Sequence, residues 1–293
     1  MRFSIVVAAM LLACGVAQAQ KTEANRGVSP SGTITDGAAS FAYNGIGTGG
    51  AANADLTGVG AGDQLFSLWW YYRVDGDALE TPFPAPDTQD YTGNTATLSW
   101  ADVDGRGFSG ELVNVVADLS GPSGTLTSAW TLTNNAASPL TIDIFWYADA
   151  DVAGTASGDD AVLGNFPDLI EVTDTDTLQL LGGGNSAFQV GPWPDIRDLL
   201  SDAVLDNLDD SGLPFGPGDF SGAMQWTSIT IDPGASASLG GNIGVNTPAP
   251  GFGGPPPPPV PEAQTVPTLG ATGMVFLVLL LVLISTVVLV RRG

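Results

Sequence analysis

The sequence predicts an all-β protein: a β-sandwich ectodomain with one short helix, an N-terminal signal peptide and a single C-terminal transmembrane helix. Three observations carry this. Short runs rich in aromatic and β-branched residues recur through the middle of the chain. Turn formers break those runs at close intervals, with 39 glycines and 21 prolines among 293 residues. Outside the two chain ends, helical spacing of apolar residues occurs in one segment only.

The first segment is a targeting signal. Arg2 is the only charge before Lys21, residues 3–16 are apolar, and Ala17-Gln18-Ala19 forms a small-x-small cleavage site. This is the pattern of a secretory signal peptide over residues 1–19. Leu11-Leu12-Ala13-Cys14 also reads as a lipobox that would lipidate Cys14, so two processing routes are open. Cys14 is the only cysteine. Cleavage after Ala19 would leave no thiol, and the exported chain would depend on its core rather than on disulfides.

Residues 20–247 are long enough for one large domain with a sizeable core. Residues 64–74 (QLFSLWWYYRV) are apolar on both faces, as in a central strand covered on both sides. Residues 125–133 alternate, with Leu126, Trp130 and Leu132 on one face and threonines on the other. Residues 141–149 resume the alternation with Ile142, Ile144 and Trp146 inward, so the two runs are expected to pair as a hairpin across the Asn134–Pro139 loop. Further strands are expected at 95–100, 111–119, 168–172, 177–181, 186–190, 224–231 and 238–245. Many short strands without alternating helices favour a sandwich or barrel over βαβ units. The exception is 194–208, where Ile196, Leu199, Leu200, Ala203, Val204 and Leu208 recur at helical spacing.

Composition changes after Thr247. Residues 248–265 are rich in Pro and Gly, including five consecutive prolines, and read as a stiff polyproline II stalk. Within residues 266–293, positions 274–290 carry no charge, and as a helix they would reach roughly 25 Å, enough to cross a thin bilayer core with some help from their neighbours. Arg291 and Arg292 would stop the segment on the cytoplasmic side, placing the body across the inner membrane.

Val266, Pro267, Thr268, Leu269 and Gly273, followed by an apolar helix and an arginine pair, resemble the IPTL-type C-terminal sorting signals of Gram-negative bacteria, relatives of the PEP-type signals. Val266 stands in place of isoleucine, and Thr272 where that family has tryptophan. The resemblance implies an exosortase-like transpeptidase as a partner. It also implies a membrane-anchored intermediate and delivery to the cell surface or extracellular matrix. A permanent tail anchor is the alternative.

Charge and missing residue types bound the function. The net charge is −23, and all 31 acidic residues lie between Lys21 and Glu262. Such a surface repels nucleic acid and anionic polymers and attracts divalent cations. There is no histidine, which removes Ser-His-Asp triads and imidazole zinc sites. The glycine runs at 47–50 and 182–184 lack the lysine and the strand-to-helix setting of a phosphate loop. Carboxylate chemistry such as glycoside hydrolysis is the main enzyme class left, and a non-enzyme is expected.

The sharpest candidate site is acidic. Asp149 and Asp151 end a strand, and Asp159 and Asp160 follow a Gly/Ser/Thr loop. Clustered aspartates in such loops offer the oxygens calcium takes, and turn formation alone would also account for them. Asp102 and Asp104 form a weaker cluster. The Trp69-Trp70-Tyr71-Tyr72 run is expected to be core, whereas Trp193, between two prolines, is expected to be the exposed tryptophan. The expected role is structural or adhesive in the surface layer or exopolysaccharide matrix, with a carbohydrate-binding module or a carboxylate-dependent glycoside-active enzyme as alternatives.

Overall fold

A computed structural model describes residues 28–164 and 168–247. The strands in chain order are β1 (Ser31–Asp36), β2 (Ala39–Asn44), β3 (Ala54–Thr57), β4 (Ser67–Val74), β5 (Thr81–Pro82), β6 (Thr88–Thr92), β7 (Thr95–Trp100), β8 (Phe108–Asp118) and β9 (Gly124–Asn134). They continue as β10 (Leu140–Ala150), β11 (Asp159–Leu163), β12 (Leu169–Thr173), β13 (Thr177–Gly182), β14 (Ala187–Pro192), β15 (Phe215–Gly218), β16 (Phe220–Ile231) and β17 (Ser236–Val245). One short helix, α1 (Asp195–Leu199), follows β14.

Three sheets result. A nine-stranded sheet runs β15-β11-β12-β13-β17-β9-β8-β7-β6, a five-stranded sheet runs β14-β16-β10-β4-β5, and β1-β2-β3 form a small third sheet. The all-β expectation therefore holds, with a sandwich-like pairing of the two larger sheets. Trp70 on β4 stacks on Trp146 of β10 and Trp226 of β16, with ring centroids 5.5 and 5.8 Å away, and meets Trp130 of β9 edge-on at 6.0 Å. These indoles bridge the sheets, and each is at most 5 % exposed. Gly241 on β17 has to be small: a Cβ there would sit 2.3 Å from the Trp146 ring.

The 64–74 run behaves as its sequence suggests. In β4 every residue from Ser67 to Arg73 is buried, because β10 pairs on one side, β5 on the other, and both faces are covered. Trp70 and Tyr72 point between the sheets; Trp69 meets Tyr43 of β2 edge-on at 5.5 Å.

The expected hairpin between 125–133 and 141–149 does not form. β9 pairs with β8 and β17 in the large sheet, whereas β10 pairs with β4 and β16 in the other. The intervening loop arches between sheets, and the buried Asn134 amide ties it by donating to the Ser138 and Ile231 carbonyls at 2.8 Å each. The physical reason lies in β10, which is buried on both faces from Ile144 onward and so requires the centre of a covered sheet.

The helix expected over 194–208 stops at Leu199. Side chains of Glu80, just before β5, and Gln225 of β16 capture the backbone that would have continued it. Glu80 accepts from the Asp206 N–H at 3.2 Å, and Gln225 accepts from the Leu208 N–H at 2.8 Å. Val204 and Leu205 are left exposed. Residues 1–19, 248–265 and 266–293, with the signal, stalk, sorting and membrane expectations that fall on them, lie outside the described residues. Among the described residues no helix is long and apolar enough to cross a membrane.

Candidate functional site

Alternation along β10 sends Asp143, Phe145, Tyr147 and Asp149 to the face opposite the Trp146 indole. Asp149 closes that row, opposite Ser67 of β4 and Ser221 of β16. Asp151 follows one residue beyond the strand, at the entry to a tight 3-10 turn whose Ala153 has φ 60°. Asp219 is the single residue between β15 and β16. The antiparallel register of β10 and β16 brings it to the same place. One carboxylate oxygen from each of Asp149, Asp151 and Asp219 can be chosen so that all three lie within 4.8 Å of one another.

The surroundings are poor in compensation. Asp149 is 1 % exposed. Its Oδ2 receives only a long bond from the Tyr147 hydroxyl, at 3.4 Å, and its Oδ1 has no hydrogen-bond partner among the described residues. Burial, then the neighbouring Asp219 and Asp151 carboxylates, push the Asp149 pKa up to about 8. Asp151 and Asp219 are raised as well, each mainly by burial. Arg197 is the nearby cation felt by Asp149, but its guanidinium already pairs with Asp198 at 2.6 Å and lies over the Trp193 ring at 5.1 Å.

The structure separates the two other expected acids. Asp159 and Asp160 follow the loop as expected and open β11, where strand alternation divides them. Asp159 is fully buried, and Asp160 is exposed opposite Thr173. Neither oxygen of Asp159 has a hydrogen bond of good geometry. Burial raises its pKa to about 7, the Phe220 backbone N–H pulls it back, and Asp174, Asp151 and Asp219 raise it further. Asp159 therefore belongs electrostatically with the trio, and Asp160 is not among the clustered acids. The weaker pair serves turns: Asp102 accepts from the Gly107 N–H at 2.8 Å, and Asp104 accepts from the Tyr72 hydroxyl at 2.7 Å.

An aromatic ledge adjoins the acids. Six of the seven tryptophans are buried, and Trp193 is the half-buried exception. Phe66 meets its ring edge-on at 6.4 Å. Each of these two aromatic residues is tied by its backbone to one acid: the Trp193 N–H donates to the Asp219 carbonyl at 2.8 Å, and the Phe66 N–H to the Asp149 carbonyl at 3.0 Å. Asp219 was not legible as a site residue. Its only signal is the Gly-Pro-Gly-Asp turn before a long strand, which indicates a bend but not what the bend approaches.

No protein-family model matches the chain, and no curated protein matches it significantly. Among solved structures, a bacterial glucoamylase complexed with acarbose aligns at 10 % identity and TM-score 0.49, covering 75 % of this chain and 32 % of its own. A polysaccharide lyase aligns at 10 % identity and TM-score 0.43, covering 76 % and 33 %. An aldose 1-epimerase assignment from Escherichia coli K12 aligns at 10 % identity and TM-score 0.45, covering 74 % and 99 %. The chain thus spans about a third of the first two. Likeness this distant fixes neither activity nor substrate.

Proposed function

We propose that the chain is an exported cell-surface or matrix module that binds neutral glycan through the Trp193 ledge. The observation that supports this is the half-buried indole of Trp193, held by Phe66 and Arg197 beside carboxylates. An aromatic face with polar groups at its edge suits a sugar ring, whose C–H face stacks while its hydroxyls find acceptors. The net charge of −23 favours uncharged polymers over acidic ones. Export, processing near Val266–Leu269 and anchoring ahead of Arg291 and Arg292 belong to the same proposal, resting on the sequence pattern. Affinity electrophoresis of the full chain in detergent tests the glycan reading. Retardation by a neutral polysaccharide should be lost in Trp193→Ala with the melting temperature unchanged; no retardation by any neutral polysaccharide tested overturns it.

A second reading has one specific observation in its favour. Asp149 is held protonated near neutral pH beside two further acids, the asymmetry that carboxyl acid–base catalysis uses. Release of reducing ends from a bound glycan, lost in Asp149→Asn, would establish it, and a bound glycan recovered intact would remove it.

A further inference from the structure

We propose that Asp149, Asp151 and Asp219 hold a calcium ion. The proposal stands apart from glycan binding: it concerns the carboxylates, not the indole.

Geometry is the first argument. Calcium–oxygen distances of 2.3–2.6 Å let oxygens on one ion stand up to about 5 Å apart. The three carboxylates already lie within 4.8 Å, so an ion can enter with side-chain adjustment alone. Magnesium, with oxygens at 2.0–2.1 Å, spans at most about 4.2 Å and would draw the three strand ends closer. The donor set is oxygen only, in a chain without histidine, which matches a hard cation rather than zinc or copper.

The second argument is independent of the clustering. Asp149 Oδ1 is buried and has no hydrogen-bond partner among the described residues, in a residue that is 1 % exposed. Buried polar atoms in native proteins are almost always satisfied, and an orphaned acceptor calls for a donor or an ion. Among the described residues the cation nearest Asp149, Arg197, is already engaged with Asp198 and Trp193. Nearby main-chain carbonyls each already accept one hydrogen bond, those of Asp149, Asp151, Gly218 and Asp219 from Phe66, Gly154, Gly158 and Trp193, which favours the carboxylates as the main ligands. The ion would thus be held by carboxylates and completed by water entering past Asp219, which is only half-buried.

The test uses the full chain in detergent, stripped with chelator and titrated with calcium chloride by calorimetry and thermal melting, without glycan. Wild type and Asp160→Asn should bind one calcium saturably and melt higher with it. Asp219→Asn, at the partly open edge of the cluster where folding is least at risk, should weaken binding by at least about tenfold. Trp193→Ala should keep the calcium response, so failure of the glycan reading leaves this one standing. An equal calcium response in Asp219→Asn and wild type would show general charge screening and overturn the proposal. So would absence of any saturable heat or melting shift with calcium.

Discussion

Strand β10 carries a charged group near each end, and the two ends are built differently. Near its start, Asp143 meets Arg73 of β4, whose guanidinium also bonds Glu80 at 2.5 Å, the Asp206 carbonyl at 2.5 Å and Asn207 Oδ1 at 2.6 Å. Phe145 covers it at 5.4 Å. Arg73 is 8 % and Glu80 3 % exposed, so this is a largely buried network in which the guanidinium is paired with two carboxylates. At its far end, Asp149, Asp151 and Asp219 gather with no ion-paired cation among the described residues. Burial of charge is tolerated where it is paired. The Arg73 end is paired and reads as a lock that fastens the 202–210 segment to the sheet. The Asp149 end is unpaired and reads as a place for something else to arrive.

The largest effect should come from breaking the lock. Arg73→Met leaves Glu80 and Asp143 facing an apolar group, and loss of one partner from a buried pair costs about 3–5 kcal/mol. The fall in the chemical denaturation midpoint measures it, and a loss below about 1 kcal/mol would show that the network is solvated after all.

The opposite sign is expected at the other end. In chelator above pH 8, where Asp149 is ionised, the double variant Asp149→Asn with Asp219→Asn should be more stable than wild type by about 1–3 kcal/mol, since it removes like charges from a desolvated site. In calcium the order should reverse. Melting curves in the two buffers decide this, and a destabilised double variant in chelator would mean that the acids are already compensated.

A single acid away from both ends gives an intermediate case. Burial, with help from Asp55, raises Asp63 to about 6, although its carboxylate accepts from the Leu56 and Leu65 N–H groups. A raised folded pKa favours the protonated folded state. Its stabilising contribution is complete below the unfolded value near 4 and is lost as pH rises through 6. Asp63→Asn should flatten that slope. Two pKa steps would be worth about 2.7 kcal/mol in a dry site, and screening at this half-buried position reduces the effect to about 1 kcal/mol. Melting temperatures at pH 4 and pH 7.5 compare the two proteins; an unchanged slope would refute the assignment.

The smallest effect belongs to the surface. Arg106 pairs with Asp77 at 2.8 Å with its side chain 38 % exposed. Arg106→Ala should change stability by less than about 1 kcal/mol. A larger loss would show that pairing at the surface and in the interior differ less here than the comparison of the two strand ends requires.

Much of the fold could be read along the chain, because burial of one face leaves a period of two in the residues and burial of both faces leaves a short continuous apolar run. That is why β4, β7, β9, β13 and β17 stand near their expected positions. It is also why the Trp69-Trp70-Tyr71-Tyr72 run could be assigned to the core and Trp193 to a more open place. The first three strands, β5, β6, β11 and β15 escaped, each being six residues or shorter. The site was half legible. Asp149 and Asp151 are near neighbours in sequence, so their clustering shows there. Asp160 looked equivalent to Asp159 until a strand placed one inward and the other outward.

What the sequence determined by itself is the β character, the punctuation, the acidity and the absence of imidazole and thiol chemistry in the 20–247 segment, all of which are local or compositional. Tertiary structure alone decided which sheet each strand joined. It also decided that β10 would cross to the second sheet, and that Asp219 would meet Asp149 some seventy positions away. Pairing between distant strands is selected by the summed burial of two faces at once, and no single stretch of chain contains that sum.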